Sequence, residues 1–301
     1  MLLILDSTSN TNNSHTLGSS LHAALGSTRA AERVVFEHGL LLDGTSLARI
    51  LNGYEFHAII NCTEFSDIDL AEYEREAAYG VNGFAVGAMA EICRERDALL
   101  VHLSTSSVFS GSAGAPVREE DIHDPLNVFG DSRSLGEMLV ASTRCRHLTV
   151  RLPYVYGGGI PLFNHGFAMM SGHGALAVHG GQVIAPMRAA DASAAVSALL
   201  DRGATGTFHI GPRDSVKARD FAARALNLLQ GAGKIAEKTE ITEVGGEDFL
   251  APADRPLYNV LDTKKYSSFT GLTSSGWEEA LEEYISSNHG PIQITAKEHV
   301  Q

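Results

Sequence analysis

The sequence predicts an α/β protein, a doubly wound parallel sheet joined to a smaller C-terminal α/β lobe, and three observations carry that prediction. Short apolar runs alternate with amphipathic helical runs from Leu2 to Leu152, the pattern of strand and crossover helix. Leu99-Leu100-Val101-His102-Leu103-Ser104 is almost continuously apolar, as a strand covered on both faces must be. Beyond Leu152 the alternation weakens into a stretch rich in Gly and His that runs to Gly181.

Taken in order, Leu2 to Leu5 is the first strand, Asp6 to Thr16 a polar loop, and Leu17 to Leu25 an amphipathic helix. Val34-Val35-Phe36, ending in Glu37, is a second strand, Ser46 to Leu51 a helix, and Ala58 to Cys62 a third strand. Val81, Phe84, Ala85, Ala88, Met89 and Ile92 fall at helical spacing and predict one long helix from Tyr79 to Arg96. Leu99–Ser104 is the fourth strand and Leu148–Leu152 the fifth. Later come a helix over Ala189–Leu200, a strand over Gly206–Ile210, helices over Ala218–Leu229 and Gly276–Ile285, and between these last two a loop region, Gly231 to Gly246, with room for one strand. The expected division is a main domain over residues 1–155 to which 188–205 returns, a smaller lobe over 156–187 and 206–287, and a mobile tail over 288–301.

Composition narrows the partners. The 301 residues are 44% hydrophobic and 20% charged, with a formal net charge of -13, and Lys and Arg are scattered. Nucleic acid and anionic membrane surfaces are therefore not expected partners. Met1 to Leu5 stops at Asp6 with no basic region before it, no apolar run reaches membrane-spanning length, and Cys62, Cys93 and Cys145 form no paired motif. These features fit a cytoplasmic chain without structural disulfides.

The central stretch is Asp124-Pro125-Leu126-Asn127-Val128-Phe129-Gly130-Asp131-Ser132-Arg133-Ser134-Leu135-Gly136-Glu137. Pro125 holds Asp124 extended, and the helix that follows, Val128 to Ala141, places Phe129, Arg133 and Glu137 four residues apart on one face. The stretch resembles the Pro-Leu-Asn-x-Tyr-Gly-x-(Ser/Thr)-Lys-x-x-Gly-Glu segment of the extended short-chain dehydrogenase/reductases, most closely the dTDP-4-dehydrorhamnose reductase family. Further likenesses are Ile60-Asn61-Cys62-Thr63 with Asp69 and Glu72, Val81-Asn82, His102-Leu103-Ser104-Thr105-Ser106-Ser107-Val108-Phe109, and Arg255-Pro256-Leu257-Tyr258-Asn259-Val260-Leu261-Asp262.

The resemblance implies a Rossmann-like fold and a catalytic Thr/Ser-Tyr-Lys set, of which Thr105 keeps the hydroxyl while Phe129 stands at the Tyr position and Arg133 at the Lys position. A phenyl ring has no proton to give, and a guanidinium is always charged and planar where an ammonium is compact. Phe129 packed as core with Arg133 paired to Glu137 on the helix surface is the plainer alternative. Ser106 and Ser107 replace the family's Asp and Tyr, and Ser106, Ser107, Arg133 and Arg255 are the expected ligand contacts.

The first strand-to-helix turn, where a dinucleotide fold needs glycines, reads Asp6 to Leu17 without one. Gly18 is the one surviving candidate for a cofactor contact there, and Glu37 is placed for a ribose. The expectation is that no nicotinamide cofactor is held, that ordinary reduction has been lost, and that the cleft binds a sugar-like or anionic ligand or serves a protein partner. A homodimer is a further possibility. The alternative is an active NAD(P)H-dependent 4-keto-6-deoxysugar-nucleotide reductase, or a non-redox isomerase or dehydratase. His165, His173 and His179 lack nearby acids, so no metal site is expected. Glu119, Glu120 and Asp121, and the four glutamates Glu278, Glu279, Glu282 and Glu283, read as solvated faces.

Overall fold

The computed structural model describes residues 1–8, 17–26, 30–37, 41, 44–163, 168–170, 175–235, 239–245, 251–288 and 292. Six parallel strands make the central sheet: β1 (Leu2–Thr8), β2 (Ala31–Glu37), β3 (Ala58–Asn61), β4 (Leu99–Thr105), β5 (His147–Leu152) and β6 (Gly206–His209). Their order is β6-β5-β4-β3-β1-β2. The doubly wound class is thus the observed one. Gly206–His209, which the sequence assigned to the smaller lobe, is corrected to the edge of the main sheet. Its short apolar run gives no sign of which sheet it joins, since pairing is decided by the neighbour.

Helices cover both faces. On one lie α1 (Leu17–Gly26) and a later helix over Ala189–Asp201, whose Leu21, Leu25, Val196 and Leu199 bury Leu2, Ile4, Ile60, Val101 and Val150. On the other, α2 (Gly44–Leu51), α3 (Ile68–Tyr73), α4 (Arg75–Tyr79), α5 (Ala85–Glu95) and α6 (Val128–Thr143) follow in chain order. Leu47, Leu51, Val86, Met89 and Val140 there pack on Leu3, Leu5, Ile59 and Leu100. The helix over Ala189–Asp201, α7, and α1 touch along the sheet, and the small side chains of α7, six alanines and two serines, keep that approach close.

The long helix expected over Tyr79–Arg96 is interrupted. Gly80–Phe84 forms one π-helical turn between α4 and α5. Its Asn82 is fully buried, accepts from the Phe65 amide at 2.9 Å, and donates to the Phe65 carbonyl at 3.1 Å and to Ser132 Oγ at 3.0 Å. A widened turn that aims a polar side chain inward is a common use of a π-bulge. The helix α3, absent from the sequence reading, starts at Asp67, whose carboxylate accepts from the amides of Asp69 and Leu70.

The smaller lobe is built around Tyr156, Phe163, Phe221, Leu226, Leu281 and Ile285. Its helices are α8 (Ala218–Gly231) and, further on, α10 (Trp277–Ser287); α9 (Lys264–Thr270), which the sequence did not reveal, packs through Tyr266 on the main-sheet core beside Phe208. The strand expected between Gly231 and Gly246 runs over Ile241–Val244. The acidic face of α10 is not merely solvated: Arg224 pairs with Glu278 and Glu282, Arg213 with Glu279, and Arg188 with Glu283. The tail over 289–301, apart from Ile292, lies outside the described residues. Among those described, no helix is long and apolar enough to cross a membrane.

Candidate functional site

In a sheet of this order the crevice lies at the carboxyl ends of the strands, where β1 and β3 send their chains to opposite sides. The residues gathered there are Asp6 from β1, Asn61 at the end of β3, and Ser104 and Thr105 at the end of β4. Helix α6 leans over β4 and β5. Asn127 caps it by accepting from the Gly130 amide at 2.8 Å, and Glu72 of α3 accepts from the Val128 amide at 2.7 Å, so two of its orphan amides are satisfied. Gly130 permits the close approach, since a Cβ there would overlap the Ser107 carbonyl.

Thr105 is half-buried, and its hydroxyl works locally. It accepts from the Ser107 amide at 3.1 Å and donates to Ser107 Oγ at 3.3 Å, capping the 3-10 turn Ser106–Val108. Ser106 and Ser107 are themselves buried. Phe129 is 5% exposed and belongs to the core cluster of that face. Arg133 is 3% exposed and does not pair with Glu137; its Nη2 donates to the Leu103 carbonyl, while Nε and Nη1 have no hydrogen-bond partner among the described residues. The surface pairing of Arg133 with Glu137 is therefore corrected. Both side chains point into the layer between α6 and the sheet, because their face of the helix is the one that packs.

Glu137 instead anchors a buried polar cluster. Arg151 of β5 donates through Nε to both Glu137 oxygens at 3.0 Å and through Nη2 at 2.7 Å, and Ser104 Oγ donates at 2.5 Å. The same guanidinium reaches His123 Nε2 at 2.6 Å, His209 Nε2 at 3.0 Å and the Glu119 carbonyl at 3.2 Å. An Arg nitrogen can only donate. Both imidazoles must then accept at Nε2 and carry their proton on Nδ1, which His209 gives to the Val117 carbonyl and His123 to Ser134 Oγ. Although His123 Nε2 lies 3.5 Å from Glu137, that contact is not an ion pair, because burial, with Arg151 adding to it, holds His123 below the usual imidazole range.

Burial, reinforced by Arg151, pushes His209 down to about 3. The unfolded chain takes up that proton near 6.5, so the cluster's stability is complete above that pH and is lost as pH falls toward 3. The unfolding free energy from urea denaturation is expected to be about 2 kcal/mol lower at pH 5 than at pH 7.5 from His209 alone, at about 1.4 kcal/mol per pH unit, with His123 adding in the same direction. Equal values would show that the two rings are not held neutral. Glu119, read from sequence as solvated, accepts from the His209 amide at 2.9 Å.

Two other expected contacts have different tasks. The Arg255 guanidinium is bidentate on Asp69 of α3, at 2.8 and 2.6 Å, and so ties the C-terminal segment to α3 instead of facing a ligand. Gly18 makes room for Asp6: the carboxylate, 1% exposed, is pressed against it and is held by Arg33 of β2 at 2.9 and 3.0 Å. That negative group occupies the start of α1, the position where a dinucleotide diphosphate is ordinarily received. Among the described residues, the start of α1 is thus lined by an Asp6–Arg33 ion pair. Residues 9–16 of the expected loop, the Glu37 side chain, His165 and His173 lie outside the described residues. His179 is buried in the smaller lobe, and no group of metal-ligating side chains is present among the described residues.

The clusters were not named as sites from sequence, yet one signal was available. Arg151 interrupts the apolar run Leu148–Leu152, and a guanidinium in a covered strand requires a buried acceptor.

A family model described as the RmlD substrate binding domain matches residues 11–289. A probable low-salt glycan biosynthesis reductase, Agl14, of Haloferax volcanii is 28% identical over 272 residues, covering 86% of this chain and 88% of that one. A dTDP-4-dehydrorhamnose reductase of Mycolicibacterium smegmatis is 30% identical over 246 residues, covering 79% and 74%. The fold is that of a dTDP-4-dehydrorhamnose reductase from Bacillus anthracis solved in complex with NADP, with a TM-score of 0.78, 22% identity, and 95% of this chain and 99% of that chain covered.

Proposed function

The chain belongs to the RmlD family of extended short-chain dehydrogenase/reductases, and from that premise we infer that it binds a sugar-nucleotide ligand in the crevice without reducing it by the family's tyrosine-driven route. One observation carries this reading: a phenyl ring, Phe129, is buried where the resemblance places the proton donor. Hydride delivery to a ketone leaves an alkoxide that must be protonated, and a positioned acid is worth about a hundred- to ten-thousandfold in rate. Phe129 supplies none.

Two further features support it. Arg133 is turned into the helix–sheet layer, bound to the Leu103 carbonyl, and not out toward a ribose. Asp6 and Arg33 fill the start of α1 with an ion pair of the chain's own. The ligand of this reading is the sugar end of a nucleotide sugar, taken by the hydroxyl-rich turn Thr105–Ser107 at the end of β4. A regulatory role, exerted through a protein partner, is the biological use that follows if catalysis is absent.

A second reading is favoured by the relatives, which are named reductases and include a structure with NADP. In it the chain is an NAD(P)H-dependent reductase of a 4-keto-6-deoxysugar nucleotide that draws its proton from another donor. One assay separates the two. The purified protein is titrated calorimetrically with a dTDP-linked sugar and then supplied with NADPH or NADH and dTDP-4-dehydrorhamnose while nicotinamide absorbance is followed. Binding with turnover about a hundred- to ten-thousandfold below a tyrosine-bearing relative is expected; turnover comparable to that relative overturns the first reading in favour of the second.

A further inference from the structure

The layer between α6 and the central sheet contains a positive charge that no carboxylate among the described residues balances. Arg133 is 3% exposed, and no carboxylate among the described residues pairs with it. Glu137, one turn along α6, is already committed to Arg151 and Ser104, so that pair is neutral by itself. A buried guanidinium left uncompensated is strongly unfavourable. Its Nε and Nη1 are also without acceptors.

A second donor without an acceptor lies beside it, and its identity follows from the hydrogen bonds. Asn61 Oδ1 accepts from the Thr63 amide at 3.0 Å and from Thr63 Oγ1 at 2.7 Å, which fixes the amide orientation. Its Nδ2 therefore donates to His102 Nδ1 at 3.2 Å. An Nδ1 that accepts leaves the imidazole proton on Nε2. His102 is fully buried, its Nε2 has no partner, and burial together with the neighbouring Arg133 charge keeps the ring neutral. The two groups share one layer: His102 stands on the same face of β4 as Leu100, toward α6, and Arg133 reaches from α6 to the carbonyl of the next residue, Leu103.

We propose that this layer binds a small anion, a halide such as chloride, between the Arg133 guanidinium and the Nε2–H of His102. Charge decides against water alone, since a water satisfies a donor but leaves the guanidinium unbalanced. Size decides against a phosphate: His102 is fully buried and Arg133 is 3% exposed, so the layer encloses both groups. Nη2 gives one of its two hydrogens to Leu103, which removes one two-pronged edge of the guanidinium and leaves Nε and Nη1 to be met by a small acceptor. The site is independent of whether the crevice binds a nucleotide sugar.

The test is thermal unfolding of the full chain at constant ionic strength, with sodium gluconate exchanged stepwise for sodium chloride or bromide. The Tm is expected to rise by about 3 °C for each tenfold increase of halide above its dissociation constant. In Arg133→Met that dependence is expected to vanish, and in Arg94→Met, which removes an exposed arginine paired with Glu91, to persist. Should Arg133→Met not fold, bromide soaked into crystals of the unaltered protein gives the second readout, an anomalous peak between Arg133 and His102. A Tm indifferent to halide, a dependence that survives in Arg133→Met, or crystals with bromide elsewhere only, overturns the proposal.

Discussion

Replacing Arg151 by Met is expected to lower the unfolding free energy by about 3–5 kcal/mol, the cost of leaving one half of a buried ion pair behind. Arg151 satisfies both oxygens of Glu137, both acceptor nitrogens of His123 and His209, and the Glu119 carbonyl, and Phe109 lies over its guanidinium at 5.0 Å. Methionine fills part of the volume but leaves the Glu137 carboxylate with Ser104 as its remaining donor, and two imidazole lone pairs and a carbonyl without the guanidinium that met them. The loss is also expected to depend on pH, because without the guanidinium the two histidines become better bases and Glu137 is left as the acceptor for a protonated His123. Urea denaturation of Arg151→Met at neutral pH measures the effect. A change below about 1 kcal/mol would mean that the cluster is hydrated and that its members are not interdependent.

The double substitution Phe129→Tyr with Arg133→Lys is expected to leave ketosugar reduction essentially where it was. It restores the family's proton donor and its ammonium, which by themselves are worth about a hundred- to ten-thousandfold in rate. Neither change alters the start of α1, where the Asp6–Arg33 ion pair lies against Gly18 and where the turn lacks the glycines with which a dinucleotide fold receives a diphosphate. NADPH consumption with dTDP-4-dehydrorhamnose, compared between the parent and the double variant, checks this. A gain of about a hundredfold or more would show that Phe129 was the whole obstacle and that Asp6 yields to the cofactor.

Much of the scaffold was readable because periodicity reports burial directly. The strands over Ala58–Cys62, Leu99–Ser104 and Leu148–Leu152 appear within a residue or two of their expected places, and the one from Leu2 runs three residues past Leu5, to Thr8. The helix after Asn127 also starts at Val128, where the sequence placed it. The π-turn at Gly80–Phe84 was not readable, because its apolar spacing is that of an uninterrupted helix and the cause, Asn82 holding Phe65, is a contact across sequence. The short helices over Ile68–Tyr73 and Lys264–Thr270 hold too few turns to show a period.

The sequence by itself determined the fold class, the family resemblance, and the absence of a hydroxyl at Phe129, since each depends on residue type and order along the chain. Only the tertiary structure decided what the charged residues do. By residue type alone Arg133 suits a ligand, Glu137 or solvent equally, Arg255 a ligand or Asp69, and Asp6 a cofactor or Arg33. A side chain's charge is written in its letter, but the energy of that charge depends on its distance to partners and on how far water is excluded, and both are set by elements far apart in the chain.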